Sequence, residues 1–299
     1  MRIYLIRHGE TVHNVAQVWA GSTDSALTNH GMLQIESLAR CFAGSGIHFD
    51  TVFSSDLSRA RITAEGICRL QPCPTAQAPL TPILTADLRE RDFGSLEGVR
   101  ISRVPVPAGT SQSIGDRQRI LAHNQKETKE SMRDRSLNFL QTHLLPLVLE
   151  EERSERNVAI VAHGLILRAL WNCLTEFFDS SSISPMPGIA AWTGGPAALL
   201  SPVWSNTGFM EILIAVIPPL LSLSQPQASG LVDGGTSEPR CGQEVPPSRS
   251  GQSSLLQGWS MQILGVDNTE HLVGIRRTRG GIGSASYDSR QKRIDQFFK

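Results

Sequence analysis

Net charge is the first thing this 299-residue chain lacks, because 28 lysines and arginines balance 28 aspartates and glutamates. That balance argues against a surface basic all over, and so against direct nucleic-acid binding in bulk. Charged residues are also sparse, at 19%. Cysteines number five (Cys41, Cys68, Cys73, Cys173, Cys241), an odd and scattered set with no C-x-x-C pair and no Cys/His zinc spacing. The expectation is reduced thiols in an intracellular protein, without a disulfide framework or a metal site. The chain opens on Met1-Arg2-Ile3-Tyr4-Leu5-Ile6, a strand-like run where a secretory signal would show a basic and then a long apolar stretch. Between residues 180 and 232 the only formal charge is Glu211, yet Glu211 and Pro218-Pro219 break the apolar stretch 209–223. A spanning helix wants ~20 apolar residues without such breaks. A soluble protein without a membrane partner is expected, cytoplasmic, nuclear or both.

What is present alternates. Residues 2–6 form a β-rich run, and 28–42 read as a helix capped by Thr28 or Asn29. Residues 51–53 suggest a second strand, and 57–70 a helix behind Ser54 or Ser55 as cap. Ile83-Leu84 fits a short edge strand. A polar-faced helix spans 131–150, with Pro146 ending or kinking it. Residues 158–161 form the apolar run of a central parallel strand, followed by a helix over 164–174. Strand–helix alternation predicts an α/β fold, a three-layer αβα sandwich on a mostly parallel central sheet. Further strands are expected at 209–216 and 261–266. The division that follows is a body over 1–216, an insertion over 217–258, a continuation over 259–274 and a basic tail over 275–299. The insertion is mostly Pro, Gly, Ser and Gln. Such a segment cannot bury enough apolar surface to offset ordering entropy, so it reads as a disordered surface insertion or as retained non-coding sequence.

Five motifs carry the chemistry, in a fixed order. Arg7-His8-Gly9 ends the first strand, at the strand end where open α/β sheets bind ligands. Residues 21–34 read G-x-x-D-x-x-L-T-x-x-G-x-x-Q, from Gly21 through Asp24 and Thr28 to Gln34. Ser54-Ser55-Asp56-Leu57-Ser58-Arg59-Ala60-Arg61 follows the second strand. Leu88-Arg89-Glu90-Arg91-Asp92-Phe93-Gly94-Ser95-Leu96-Glu97-Gly98 forms an acidic block, and Val161-Ala162-His163-Gly164 follows the central strand. This set resembles the histidine phosphatase superfamily, also called the phosphoglycerate mutase-like family. The resemblance covers residues 1–175, with weaker echoes at Asn206-Thr207 and 261–279. It implies His8 as the nucleophile that becomes phosphorylated, Arg7 and Arg59 as phosphate-binding arginines, His163 as the second histidine, and Glu90 as proton donor.

The residue types suit that chemistry in their own right. A phosphomonoester carries nearly two negative charges and repels anionic nucleophiles, whereas a neutral imidazole with one ring nitrogen held by a hydrogen bond does not. Arg7 and Arg59 present planar N–H forks to phosphoryl oxygens. His163 can add a third donor and Asn14 another polar contact. A carboxyl at Glu90 can protonate the leaving alkoxide and later take a proton from water. No metal or other cofactor is required. Glu10, Asp92 and Glu97 lack the proton donor's place and Arg61 lacks the motif position of Arg59, so structural roles are expected of them. Mutases resembling this chain carry W-N and G-W in the first loop. Here the loop reads Val12-His13-Asn14 and Gly21-Ser22, and residues 99–109 offer Arg100 and Arg103 without the mutase pattern. Hydrolysis of a phosphorylated small molecule or phosphoprotein is therefore expected ahead of phosphate transfer of the mutase type.

The tail carries a second signal. Gln291, Ile294, Phe297 and Phe298 fit Q-x-x-I-x-x-F-F, which resembles the box that binds the replication sliding clamp, proliferating cell nuclear antigen. One helical turn gathers Ile294, Phe297 and Phe298 into an apolar plug. The alternatives are a clamp ligand, making the chain a nuclear adaptor as well, or a terminal anchor packed on its own body. Arg276-Arg277 and Arg290-Gln291-Lys292-Arg293, twelve residues apart, also resemble a bipartite nuclear-import signal. Residues 275–299 hold seven basic and two acidic side chains, a net of +5, so the remaining chain carries −5.

Overall fold

The computed structural model of the chain describes residues 1–73, 78–101, 126–150, 155–192, 201–217, 255–277 and 281–288. Seven strands form one sheet: β1 (Arg2–Arg7), β2 (Thr51–Ser55), β3 (Ile83–Thr85), β4 (Asn157–Ala162), β5 (Ile183–Pro185), β6 (Phe209–Val216) and β7 (Trp259–Asn268). Their order is β3-β2-β4-β1-β6-β7-β5. Four neighbouring pairs run parallel, while β6 runs antiparallel to both β1 and β7. The mostly parallel sheet expected from the sequence is present, with one reversed strand beside its centre.

Apolar residues on both faces of the central strands make the sandwich. Along β1, Ile3 and Leu5 join one core and Tyr4 and Ile6 the other, and β4 divides Val158 and Ile160 from Ala159 and Val161 in the same way. On the first face pack α4 (Lys129–Phe139), α5 (Leu145–Leu149) and α6 (Gly164–Thr175), which bury Phe139, Val148, Leu170 and Trp171. On the second face lie α2 (Asn29–Gly44) and α3 (Ser58–Arg69), which bury Leu38, Phe42, Ala60 and Ile67. Two short helices, α1 (Val12–Ala16) and α7 (Pro187–Trp192), complete the set. Each fully buried side chain of Leu or Ile size contributes roughly 1.5–3 kcal/mol of apolar burial.

The structure corrects several local readings. Thr28 caps α2, its hydroxyl accepting from Gly31 N, as expected. Ser54 and Ser55 do not cap α3. They finish β2, and Asp24 caps the helix instead, accepting from Ser58 N at 2.8 Å. The helix expected over 131–150 is a longer run in which α4 passes into α5 through one π turn, Leu140–Leu144, with Leu145 N donating to Leu140 O. Pro146 follows at once. It has no N–H to give to the previous turn, and widening the helix there accommodates its ring.

Strands β6 and β7 pair from Phe209 to Val216 against Trp259 to Asn268, and Ile217 N reaches Gly258 O at 2.8 Å. Most of the expected insertion, 218–254, lies outside the described residues. Residues 255–258 belong to the body, for Leu256 is buried and donates to Phe177 O. The tail also begins on the body: Tyr287 N donates to Leu27 O, Asn29 Nδ2 donates to Ile282 O, and Arg277 pairs with Glu10. Gln291, Ile294, Phe297 and Phe298 lie outside the described residues. Among the described residues, no helix is long and apolar enough to cross a membrane.

Candidate active site

The site is a product of strand register. Arg7 pairs with Ala162 where β1 and β4 end together, so the next residues on each strand, His8 and His163, stand side by side with ring centroids 5.0 Å apart. The end of β2 adds Ser55 to the same point. Behind this junction the backbone is tightly packed. A Cβ on Gly31 would sit 2.2 Å from Glu10 O, which is why the loop after β1 can rest on the first turn of α2 only over glycine.

Each histidine's hydrogen bonds decide its tautomer. His8 Nδ1 lies 2.7 Å from Gly9 O. A carbonyl only accepts, so Nδ1 carries the proton and Nε2 keeps its lone pair. Burial, and then the guanidinium groups of Arg59 and Arg7, hold the His8 pKa well below its ordinary value. The ring is therefore neutral at pH 7. His163 has the opposite arrangement: Arg59 Nε, which only donates, lies 3.2 Å from His163 Nδ1, and His163 Nε2 donates to Ser55 Oγ at 3.0 Å. Burial chiefly, with Arg59, His8, Arg7 and Arg135, likewise keeps His163 neutral. Both its nitrogens are engaged, and it meets the pocket through Arg59; the sequence expectation for it is a third donor to phosphate.

The two arginines are held at their stems. Arg59, 1% exposed, also donates to Thr23 O (2.8 Å) and Gly21 O (2.6 Å), which leaves one N–H on each terminal nitrogen. Arg7 donates Nη1 to Trp204 O at 2.7 Å, and its buried Nε has no hydrogen-bond partner among the described residues. Burial lowers the pKa of both guanidinium groups, with Glu90 opposing that shift in each. Asn14 accepts through Oδ1 from Thr11 N, Thr11 Oγ1 and Asn206 Nδ2, so its amide nitrogen is the end left for a ligand. Glu90 bonds to the N-terminus of α6, accepting from Leu165 N (3.1 Å) and Ile166 N (3.2 Å).

These groups surround a cavity of about 280 Å³, lined among others by Arg7, His8, Asn14, Arg59 and Glu90. Five of the six expected site residues in the body thus share one pocket, and His163 backs it. The residues for which structural roles are expected make internal contacts: Arg61 pairs with Glu65 on the surface, Asp92 accepts from Gly94 N, and Glu10 accepts from Thr28 Oγ1. Glu97 accepts from Ser22 N, Phe93 N and the Thr23 hydroxyl, and a Cβ on Gly21 (φ +55) would collide with it.

Sequence reasoning missed three contributors. Trp19 and Phe93 meet at 4.3 Å between ring centroids, tilted 42° to each other, and form an apolar wall. Trp204 lines the pocket and anchors Arg7. Asn206, noted only as a weak echo, donates Nδ2 to both His8 O (3.0 Å) and Asn14 Oδ1 (3.1 Å). Neither tryptophan had a local signal: Trp19 lies in the loop after β1 without a motif position, and Trp204 reaches the pocket from 197 residues beyond Arg7. Among the described residues no cluster of His, Cys, Asp and Glu suits a metal ion.

Comparison with known proteins bears on the same residues. A family profile described as histidine phosphatase superfamily (branch 1) matches residues 3–184. A 2,3-bisphosphoglycerate-dependent phosphoglycerate mutase of Methylobacterium sp. is 31% identical over 195 residues, covering 65% of this chain and 88% of the relative. A probable phosphatase of Schizosaccharomyces pombe is 26% identical over 294 residues, 98% of this chain and 78% of its own. A broad-specificity phosphatase of Saccharomyces cerevisiae is 30% identical over 176 residues, 57% and 68% respectively. Among solved structures, a mycobacterial glucosyl-3-phosphoglycerate phosphatase complexed with VO3 superposes with a TM-score of 0.48 at 22% identity, covering 72% of this chain and 91% of that one.

Proposed function

The chain belongs to the histidine phosphatase superfamily, and from that premise we propose that it hydrolyses phosphomonoesters through a phosphohistidine formed on His8. Its relatives include phosphatases and mutases, so activity of the phosphohistidine type is common ground. The observation that carries the reading is the His8 Nδ1 contact to Gly9 O, which turns an unprotonated Nε2 toward a pocket holding two guanidinium groups.

In the first step Nε2 attacks phosphorus while the ester P–O bond breaks. Arg7, Arg59 and the Asn14 amide hold the phosphoryl oxygens and offset the charge that gathers on them. Glu90 delivers a proton to the departing alkoxide. In the second step water attacks the phosphohistidine, Glu90 takes the proton, the N–P bond breaks and inorganic phosphate leaves. Hydrolysis is favoured over mutase-type transfer by the first loop, which reads Val12-His13-Asn14 and Gly21-Ser22 in place of the mutase W-N and G-W.

Release of inorganic phosphate from an aryl phosphate in the presence of a chelator is the measurement. Wild-type protein should release it, and His8→Ala should lower the rate by at least about a thousandfold. Glu90→Gln should cost roughly a hundred- to ten-thousandfold, less so with a good leaving group that needs no proton. An inactive wild-type protein, or an unchanged rate in His8→Ala, removes the reading.

A further inference from the structure

Two cavities meet at the first turn of α6. The catalytic pocket and a second cavity of about 420 Å³ share Leu165 and Arg168 in their walls. The second lies between α6 and the start of α4, with Leu165, Met132 and Ala169 as its apolar surface. Its charged lining is Arg91, Lys129, Arg133 and Arg168 against one carboxylate, Glu176.

Among the described residues that imbalance is taken up only in part. Arg133 is committed to Glu176, with Nη1 and Nη2 at 2.5 and 2.6 Å from its two oxygens. Arg91 is fixed at its stem, Nε donating to Glu127 O at 2.9 Å and the guanidinium carbon standing 5.8 Å from the Phe93 ring centroid. Arg168 makes a long 3.4 Å contact to Pro202 O, and its buried Nε has no hydrogen-bond partner among the described residues. A buried donor left in that condition is costly unless a ligand completes it. The reacting phosphate is already provided for by Arg7, Arg59 and Asn14, so the positive charge around Arg168 answers to something else.

We propose that the substrate carries a second anionic group, phosphate or carboxylate, which sits in this second cavity against Arg168 with Lys129 and Arg91 while the first phosphate faces His8. This rests on the phosphomonoesterase reading above and adds the substrate class to it. Arg168 lies four residues, about 6 Å, along the α6 axis from Gly164 in the catalytic pocket wall. A spacer of a few carbons, passing over Leu165, bridges the two positions.

The test compares ligands on one protein. Calorimetric affinities of the full-length His8→Ala chain are measured for hexyl phosphate, hexane-1,6-diyl bisphosphate and 6-phosphonooxyhexanoate, and hydrolysis of the same compounds is followed with wild-type protein. At least one of the two dianchored ligands should bind ten times or more tightly than hexyl phosphate, and their order ranks phosphate against carboxylate. Arg168→Gln and Lys129→Glu, each added to His8→Ala, should bring that ratio close to one. Because it is a ratio, a general loss of folded protein does not mimic it. Equal affinities, or a preference that survives both substitutions, overturn the proposal. A preference that is present and sensitive to both substitutions, without hydrolysis of any ligand, sustains the subsite and overturns the phosphomonoesterase reading instead.

Discussion

In the proposed mechanism His8 owes its free lone pair to what surrounds it. Burial and two neighbouring guanidinium groups suppress its protonation, so kcat/KM should show no break as pH falls through ~6.5, the ordinary range of histidine. A break there that tracks His8 would contradict the electrostatics. The same shift sets the sign of the stability profile. The folded pKa values of His8 and His163 lie below their unfolded ones, so the unfolded chain takes up protons first. Melting temperature should therefore hold above about pH 6.5 and fall as pH drops below it. Asn206 acts by position. Its amide joins the His8 carbonyl to the Asn14 side chain, on a turn that Thr207 completes at φ +59 with its N–H on Arg7 O and His8 O. The Thr207 hydroxyl donates to Asn206 O and accepts from His271 Nε2, whose ring stacks on Phe209. Asn206→Ala should lower kcat roughly ten- to a hundredfold in steady-state assays with a smaller change in KM, since small misplacements of a reacting group are costly. A change confined to KM would place Asn206 in binding alone.

Among the elements, two helices take their caps from distant chain, and this marks how far the sequence could be read. Apolar period and composition located β1, β4 and α2, because each announces itself within its own residues. The capping groups of α3 and α6 did not, although the helices themselves read at 57–70 and 164–174. Local rules pointed to Ser54 or Ser55, but the acceptor for Ser58 N is Asp24, 34 residues earlier, and α6 is met by Glu90 from 75 residues away. A cap supplied across the fold leaves no trace beside the helix it serves. It also ties the loops of the site to the helices behind it: Asp24 belongs to the loop whose carbonyls at Gly21 and Thr23 receive Arg59. Asp24→Ala should thus destabilise the chain by about 1 kcal/mol, the usual worth of a cap, read by denaturant titration. It should also weaken inhibition by inorganic phosphate, because Arg59 loses the support of its loop. Intact phosphate affinity in a destabilised variant would confine Asp24 to the cap. The motif residues themselves were legible because phosphate chemistry restricts their types. Trp19 and Trp204 were not, since an apolar wall accepts many residues.

At the scale of the whole molecule the pocket is built from both halves of the chain. Residues 3–184 match the family profile, yet Trp204 and Asn206 lie beyond them and complete the site. Strands β6 and β7 are neighbours in the sheet although 42 residues separate Val216 from Trp259 in the numbering, and the ends of that interval meet at Ile217 and Gly258. Replacing 218–254 with a short turn should consequently leave phosphatase activity within about twofold and the melting temperature within a few degrees. Each doubling of loop length costs only ~0.6 kcal/mol in closure entropy. Loss of folding on excision would show that the segment contributes to the body.

The place of β1 also sets an order in time. In the sheet β1 sits between β4 and β6, whose residues follow it in the chain by roughly 150 and 200 positions. Until both have been made, Tyr4 and Ile6 have only part of their core, and the Asn206 bridge across His8 does not exist. Pairings of such sequence separation form late and slowly. A chain halted after α6 would hold all five motifs and still lack Trp204, the anchor of Arg7, so the pocket is completed only by residues made after them.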